Sequence, residues 1–136
     1  MIRYMLDTNT VSHLLKGHPD VVRRLIAVPM ASLCISAITE GELLFGLAKR
    51  PAAKQLHVAV REFLKRVEVL PWDSVAAEHY GTLRATMASQ GKVLSPLDML
   101  IATHALSVGA ILVTNDQAIS QMPDLHLEDW TKPLGV

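Results

Sequence analysis

The chain opens on a short apolar run, residues 2–6, that stops at an acid, Asp7. A run of this kind predicts a buried strand. Residues 8–15 then predict a short helix halted by Gly17, and Pro19 suits the first turn of a second helix over about 19–27, with Val22, Leu25 and Ile26 on one side. Pro29 closes that helix, residues 32–35 predict a second strand, and residues 37–49 a helix ending before Pro51. Leu56, Val60, Phe63 and Leu64 recur at helical spacing within residues 52–66. A third strand over 67–70 is closed by Pro71. The next helix, over 73–89, carries Ala76, Tyr80, Leu83 and Met87 and is followed by Gly91. Residues 96–107 predict another helix and residues 110–113 a fourth strand. A short helix near 117–120 and a last strand around 125–127 complete the series.

Strands alternate with helices along the whole chain. That order implies an α/β fold: a central, mostly parallel, twisted sheet with helices on both faces. Neither an internal repeat nor a low-complexity linker divides the sequence, so residues 1–136 are expected to form a single domain.

Composition narrows the function more by exclusion than by suggestion. The chain is 50% hydrophobic and 19% charged, enough to bury a core. It has no apolar run of membrane-spanning length, and the opening run is too short for a secretion signal. One cysteine, Cys34, rules out an internal disulfide and fits a reducing, cytoplasmic setting; in a strand it reads as a small buried hydrophobe. The six histidines never stand at zinc-site spacing. Thirteen basic residues balance thirteen acidic ones, so the global basic signal of a nucleic-acid binder is missing. Aromatic content of 4% also argues against a stacking platform for single strands. Any nucleic acid would therefore be held by local contacts, with a modest salt dependence.

Four acids stand where helices meet strands. In open parallel sheets, ligands bind beyond the carboxyl ends of the strands. Asp7 directly follows the first predicted strand, and Asp116 lies just past the fourth, in Thr114-Asn115-Asp116. Glu42 is placed in the first turn of the helix after the second strand, and Asp98 in the first turn of the helix beginning at Pro96. Each has a plain structural reading. Thr39-x-x-Glu42 and Ser95-x-x-Asp98 are capping-box patterns, and Asp7 and Asp116 suit simple helix caps. Capping and function are compatible, since a helix N-terminus favours an ionised carboxylate. If the strands are neighbours, four like charges crowd one cleft, which is unfavourable unless a cation neutralises them. An all-oxygen set suits Mg²⁺ or Mn²⁺ rather than zinc.

Met5-Leu6-Asp7-Thr8-Asn9, Thr39-x-x-Glu42-Leu43-x-x-Gly46, Asp98-x-x-Ile101-Ala102 and Thr114-Asn115-Asp116 together resemble the ordered acidic motifs of PIN-domain ribonucleases. Within that family the chain is similar to the VapC toxins of bacterial toxin–antitoxin pairs, down to the closing Leu127-Glu128-Asp129-Trp130. The resemblance implies a Mg²⁺- or Mn²⁺-dependent endoribonuclease that cuts structured RNA such as transfer RNA. It also implies a homodimer and a small VapB-type antitoxin as partner. By motif, Asp7, Glu42 and Asp98 would be core ligands and Asp116 a fourth acid. Asn9, Thr114 and Asn115 would orient them.

Other residues are weighed against plain alternatives. His104 falls on an apolar helix face and is expected to pack, hydrogen-bonded, rather than act as a base. Glu40 points elsewhere than Glu42 on a helix and reads as a solvated charge. Arg84 and Lys92 flank the approach to Asp98 and are candidate RNA contacts, with exposed surface charge as the plain alternative. Lys49, Arg50, Lys54, Arg61, Lys65 and Arg66 either hold RNA or solvate a helical hairpin; the sequence leaves both open. A second apolar strip including Val58 would let that helix join a dimer or receive an antitoxin helix. Two competing functions stand beside the nuclease. Asp7 would be the nucleophile of a haloacid-dehalogenase-type phosphatase, although that motif wants a second Asp where Asn9 stands. The other is a non-catalytic PIN-like binding module.

Overall fold

In the computed structural model, which describes residues 1–133, five strands form one all-parallel sheet. In chain order they are β1 (Tyr4–Leu6), β2 (Leu33–Ser36), β3 (Glu68–Leu70), β4 (Ile111–Val113) and β5 (Leu127–Glu128). Their order across the sheet is β3-β2-β1-β4-β5. β1 is therefore central, with Met5 opposite Cys34 of β2 on one side and Leu112 of β4 on the other. The chain first winds outward from β1 to β3, then crosses back and winds outward again from β4 to β5. Such a reversal leaves a crevice at the carboxyl ends of the two strands flanking it, here β1 and β4.

Helices α1 (Thr8–Leu15) and α2 (Pro19–Ile26) link β1 to β2, and α3 (Ala37–Ala48) and α4 (Lys54–Arg66) link β2 to β3. The return crossing is made by α5 (Ser74–Ser89) and α6 (Pro96–Ser107). Alternate strand residues feed two cores, as the two-residue period of a strand requires. Met5, Cys34 and Leu112 pack with Met87, Met99 and Ile101 on the α5/α6 face. Leu6, Leu33, Ile35 and Val113 pack with Val11, Val21, Leu43, Val60 and Trp130 on the other. Because both faces are covered, the strands are continuous apolar runs rather than alternating ones.

Local signals fix most boundaries. Asp7, Ser36, Asp73 and Ser95 each accept a backbone N–H at the start of the helix that follows. Gly17 and Gly91, with φ of 76° and 70°, end α1 and α5 in the left-handed conformation that favours glycine. The differences from expectation lie at the ends of strands. Pairing begins at Tyr4 rather than residue 2, and Ile2 is exposed. A 3₁₀ turn, Met30–Ser32, closed by the Ser32 N–H on the Pro29 carbonyl, delays β2 to Leu33. The short helix after β4 is a 3₁₀ turn, Gln117–Gln121. The edge strand β5 is Leu127–Glu128, because Leu127 is the residue in register with Leu112.

The closing segment is anchored rather than trailing. Trp130 is buried, its ring 5.4 Å from that of Tyr4, and its Nε1 donates to Glu128 Oε1, which also accepts from Arg24. The expected domain runs to Val136; residues 134–136 lie outside the described residues. Among the described residues, no helix is long and apolar enough to cross a membrane.

Candidate active site

Asp7 sits at the point where the strand order reverses. Its backbone N–H donates to the carbonyl of Val113, the last residue of β4, and its side chain accepts the Thr10 N–H at 2.8 Å. The Thr10 hydroxyl donates to the same Val113 carbonyl at 3.0 Å. The ends of β1 and β4 are thus stitched together around a carboxylate that is only 6% exposed. Asp116 follows three residues after β4. Its carboxylate accepts the Ala118 N–H at 2.9 Å, and its own N–H donates to the hydroxyl of buried Thr114 at 3.0 Å. Both acids are helix caps, as expected.

Asp98 is brought to the same edge by α6. Pro96 at the first helical position and the Ser95 hydroxyl, which accepts the Asp98 N–H at 3.3 Å, set the start of that helix. Burial raises the pKa of Asp98 above the ordinary aspartate value, and a hydrogen bond from Ser95 opposes the shift. A hydrogen bond and charge repulsion from Asp116, with further repulsion from Asp7, add to the rise. Asp98 on α6 therefore feels the charges of Asp116, after β4, and Asp7, after β1. A nearby cation would relieve that repulsion.

Glu42 is corrected in one respect. Ser36, not Thr39, caps α3, so Glu42 lies in the second helical turn and the Thr39-x-x-Glu42 capping box does not form. Glu42 is instead held from across the chain: Thr8 donates its hydroxyl to Glu42 Oε1 at 2.6 Å. Sequence reasoning passed over Thr8. Its only signal was adjacency to Asp7. Thr39 is fully buried in the preceding turn of the same helix, and its hydroxyl is without a partner among the described residues.

The remaining candidates divide. Thr114 fixes the turn that carries Asp116. Asn9 and Asn115 are exposed and make no side-chain hydrogen bond among the described residues. Arg84 and Lys92 line a cavity of about 350 Å³ between α5 and α6. Lys49 and Arg50 line a separate groove of about 270 Å³ beside Thr8 and Glu42, whereas Lys65 and Arg66 pair with Glu62. His104 is buried and bonded to Ser36, the packed role expected for it.

The donor set is oxygen-only, as a hard divalent ion prefers. Among the described residues, no three His, Cys, Asp or Glu side chains stand close enough to enclose an ion as they are. The fit therefore rests on donor chemistry and on the Asp7–Asp98–Asp116 repulsion.

A family model for the PIN domain matches residues 4–125. This chain belongs to the PIN-domain family. Within it, the chain is 38% identical over 131 residues to the tRNA(fMet)-specific endonuclease VapC of Salmonella typhimurium, covering 96% of this chain and 99% of that one. It is 36% identical to the protein of the same name from Shigella flexneri, over 96% of this chain and all of that one. These likenesses place this PIN domain in the VapC group. Its fold matches the DNA-bound VapBC complex of Salmonella typhimurium with a TM-score of 0.88 at 38% identity, over 96% of this chain and 99% of that chain. It also matches VapBC2 of Rickettsia felis, bound to a promoter DNA fragment, with a TM-score of 0.85 at 32% identity over 96% and 99%. The phosphatase alternative falls with this assignment, because the motifs around Asp7 are those of a PIN domain.

Proposed function

We propose that this PIN domain, taken as one domain over residues 1–136, is a divalent-metal-dependent endoribonuclease that serves as the toxin of a toxin–antitoxin pair. The reading is supported by the charges of Asp116 and Asp7 acting on Asp98 near the β1/β4 crevice, in a chain similar to named tRNA endonucleases. PIN-domain ribonucleases depend on divalent metal. Mg²⁺ or Mn²⁺ is the fitting ion for the oxygen donors of Asp7, Asp98, Asp116 and Glu42. When bound, such an ion lowers the pKa of water and stabilises charge on the phosphate.

The chain's own residues prepare that chemistry. Thr10 N–H holds the Asp7 carboxylate, Thr8 holds Glu42, and Thr114 with Ala118 N–H holds the Asp116 turn. Each acid thus meets the substrate with its orientation already fixed, so little order is lost during reaction. Burial and the nearby acids raise the Asp98 pKa, so a neighbouring positive charge would favour its ionised state. Asn9 and Asn115 are exposed and would be available to a phosphate or ribose hydroxyl.

Initiator transfer RNA is the fitting substrate class, by likeness to the Salmonella and Shigella proteins. A VapB-type antitoxin is the fitting partner, by likeness to the VapBC complexes. A homodimer in the cytoplasm completes the proposal. The test is RNA cleavage by antitoxin-free protein. Cutting should require Mg²⁺ or Mn²⁺, and Asp7→Asn should abolish it while circular dichroism stays unchanged. Full, metal-independent cutting by Asp7→Asn would overturn the mechanism.

A further inference from the structure

The cavity between α5 and α6 contains none of the four acids. Met87 and Met99, both nearly inaccessible, line it together with Tyr80, and Pro96 borders it from α6. Two cations line the same space. The Arg84 guanidinium lies 5.7 Å from the centre of the Tyr80 ring, and its Nη1 donates to the Tyr80 hydroxyl at 2.6 Å. Lys92 Nζ reaches only a backbone carbonyl, that of Gln121, at 3.5 Å. Among the described residues neither has a carboxylate partner, as is also true of Lys16, Lys49, Arg50, Lys54, Arg61 and Lys132. Positive charge is therefore left unneutralised beside an apolar, aromatic-walled cavity in a chain of zero net charge.

We propose that this cavity is a nucleotide subsite, which takes one unstacked base of the RNA substrate while Arg84 and Lys92 grip the two phosphates flanking it. The proposal rests on the ribonuclease reading and extends it to recognition. Unpaired RNA bases are bound by stacking on aromatic rings and guanidinium planes, and the Tyr80–Arg84 pair supplies both. A volume of about 350 Å³ is at the small end of ligand pockets, suited to a single base rather than to a stem or a peptide helix. Its position fits the chemistry. Pro96 lies in the same helical turn as Asp98, and Lys92 reaches the far end of the 3₁₀ turn that Asp116 caps. A strand of RNA cut at the acids would pass this cavity within a short span.

The experiment uses the full chain carrying Asp7→Asn, so that RNA is bound but not cut. Binding of a fluorescent single-stranded RNA is followed by anisotropy across a salt series. Arg84→Ala with Lys92→Ala should weaken binding roughly tenfold and lower the slope of log affinity against log salt by about 1.4, the value for two lost single-strand phosphate contacts. Ala88→Trp, which fills the cavity and keeps both cations, should weaken binding comparably with the slope unchanged, as loss of one stacked base requires. Arg23→Ala, which removes a cation already paired with Asp20, serves as the control. With Asp7 restored, the double variant should raise KM far more than it lowers kcat.

Unchanged affinity and slope in the double variant would overturn the subsite while leaving the ribonuclease reading intact. A halved solution mass with unchanged RNA affinity would overturn it too, by showing that the cavity is a protein interface. If the protein with Asp7 cuts no RNA with either metal, the ribonuclease reading falls and the subsite falls with it.

Discussion

Ser36 Oγ and His104 Nδ1 are joined by a 2.8 Å hydrogen bond in the interior. Ser36 also accepts the Ile38 N–H. One histidine thereby fastens α6, which carries Asp98, to the start of α3, which carries Glu42. Burial lowers its pKa below 6.5, against weaker opposing pulls from Asp73 and the Pro71 carbonyl. A base whose folded pKa is depressed binds fewer protons folded than unfolded below its ordinary pKa. Its contribution to stability is therefore whole above pH 6.5 and is lost as pH falls below it. Thermal melts from pH 8 to pH 5 should show that loss, and His104→Asn should flatten it.

Thr8→Val removes the hydroxyl that holds Glu42 and keeps the side-chain shape. Losing such an orienting partner typically costs about 10–100-fold in metal affinity or activity. The expected outcome is a higher half-saturating Mg²⁺ concentration with an unchanged melting temperature. Equal metal dependence in the two proteins would show that Glu42 needs no help from Thr8.

Thr39→Val should stabilise the protein. The Thr39 hydroxyl is buried without a partner, and such a group costs about 1–3 kcal/mol. Valine fills the same space and removes the cost. Urea denaturation should show a higher midpoint with an unchanged slope.

Asp98→Asn should raise the Tm of metal-free protein. A carboxyl whose folded pKa is raised contributes stability below its unfolded pKa and loses it as pH rises through the folded value. At neutral pH the ionised Asp98 thus opposes the fold, and an uncharged amide relieves it. Adding Mg²⁺ should stabilise the parent protein more than the Asp98→Asn variant, reversing or narrowing the gap seen in differential scanning calorimetry. Stability and activity would then trade off at a single carboxylate.

Much of this fold was legible because its signals are local. Asp7, Ser95 and Pro96 mark helix starts, Gly17 and Gly91 mark stops, and buried parallel strands read as short apolar runs. What local signals do not carry is strand order, and so the adjacency of β1 and β4 that draws Asp7 toward Asp116 had to be assumed. The Thr8–Glu42 bond was invisible for the same reason, since it joins residues 34 apart. Glu42 was misplaced by a turn because Thr39-x-x-Glu42 imitates a cap three residues beyond the true one at Ser36. Pairwise charge effects on Asp98 also depend on tertiary distances that no spacing rule supplies.

The position of β4 beside β1 has a consequence for the birth of the molecule. Asp7 and Glu42 are translated in the first third of the chain, Asp98 and Asp116 only in the last. The early strands can pair among themselves, but the acids meet only when β4 docks against a strand made about a hundred residues before it. A chain still being synthesised therefore lacks the assembled set of acids until β4 has been made and docked.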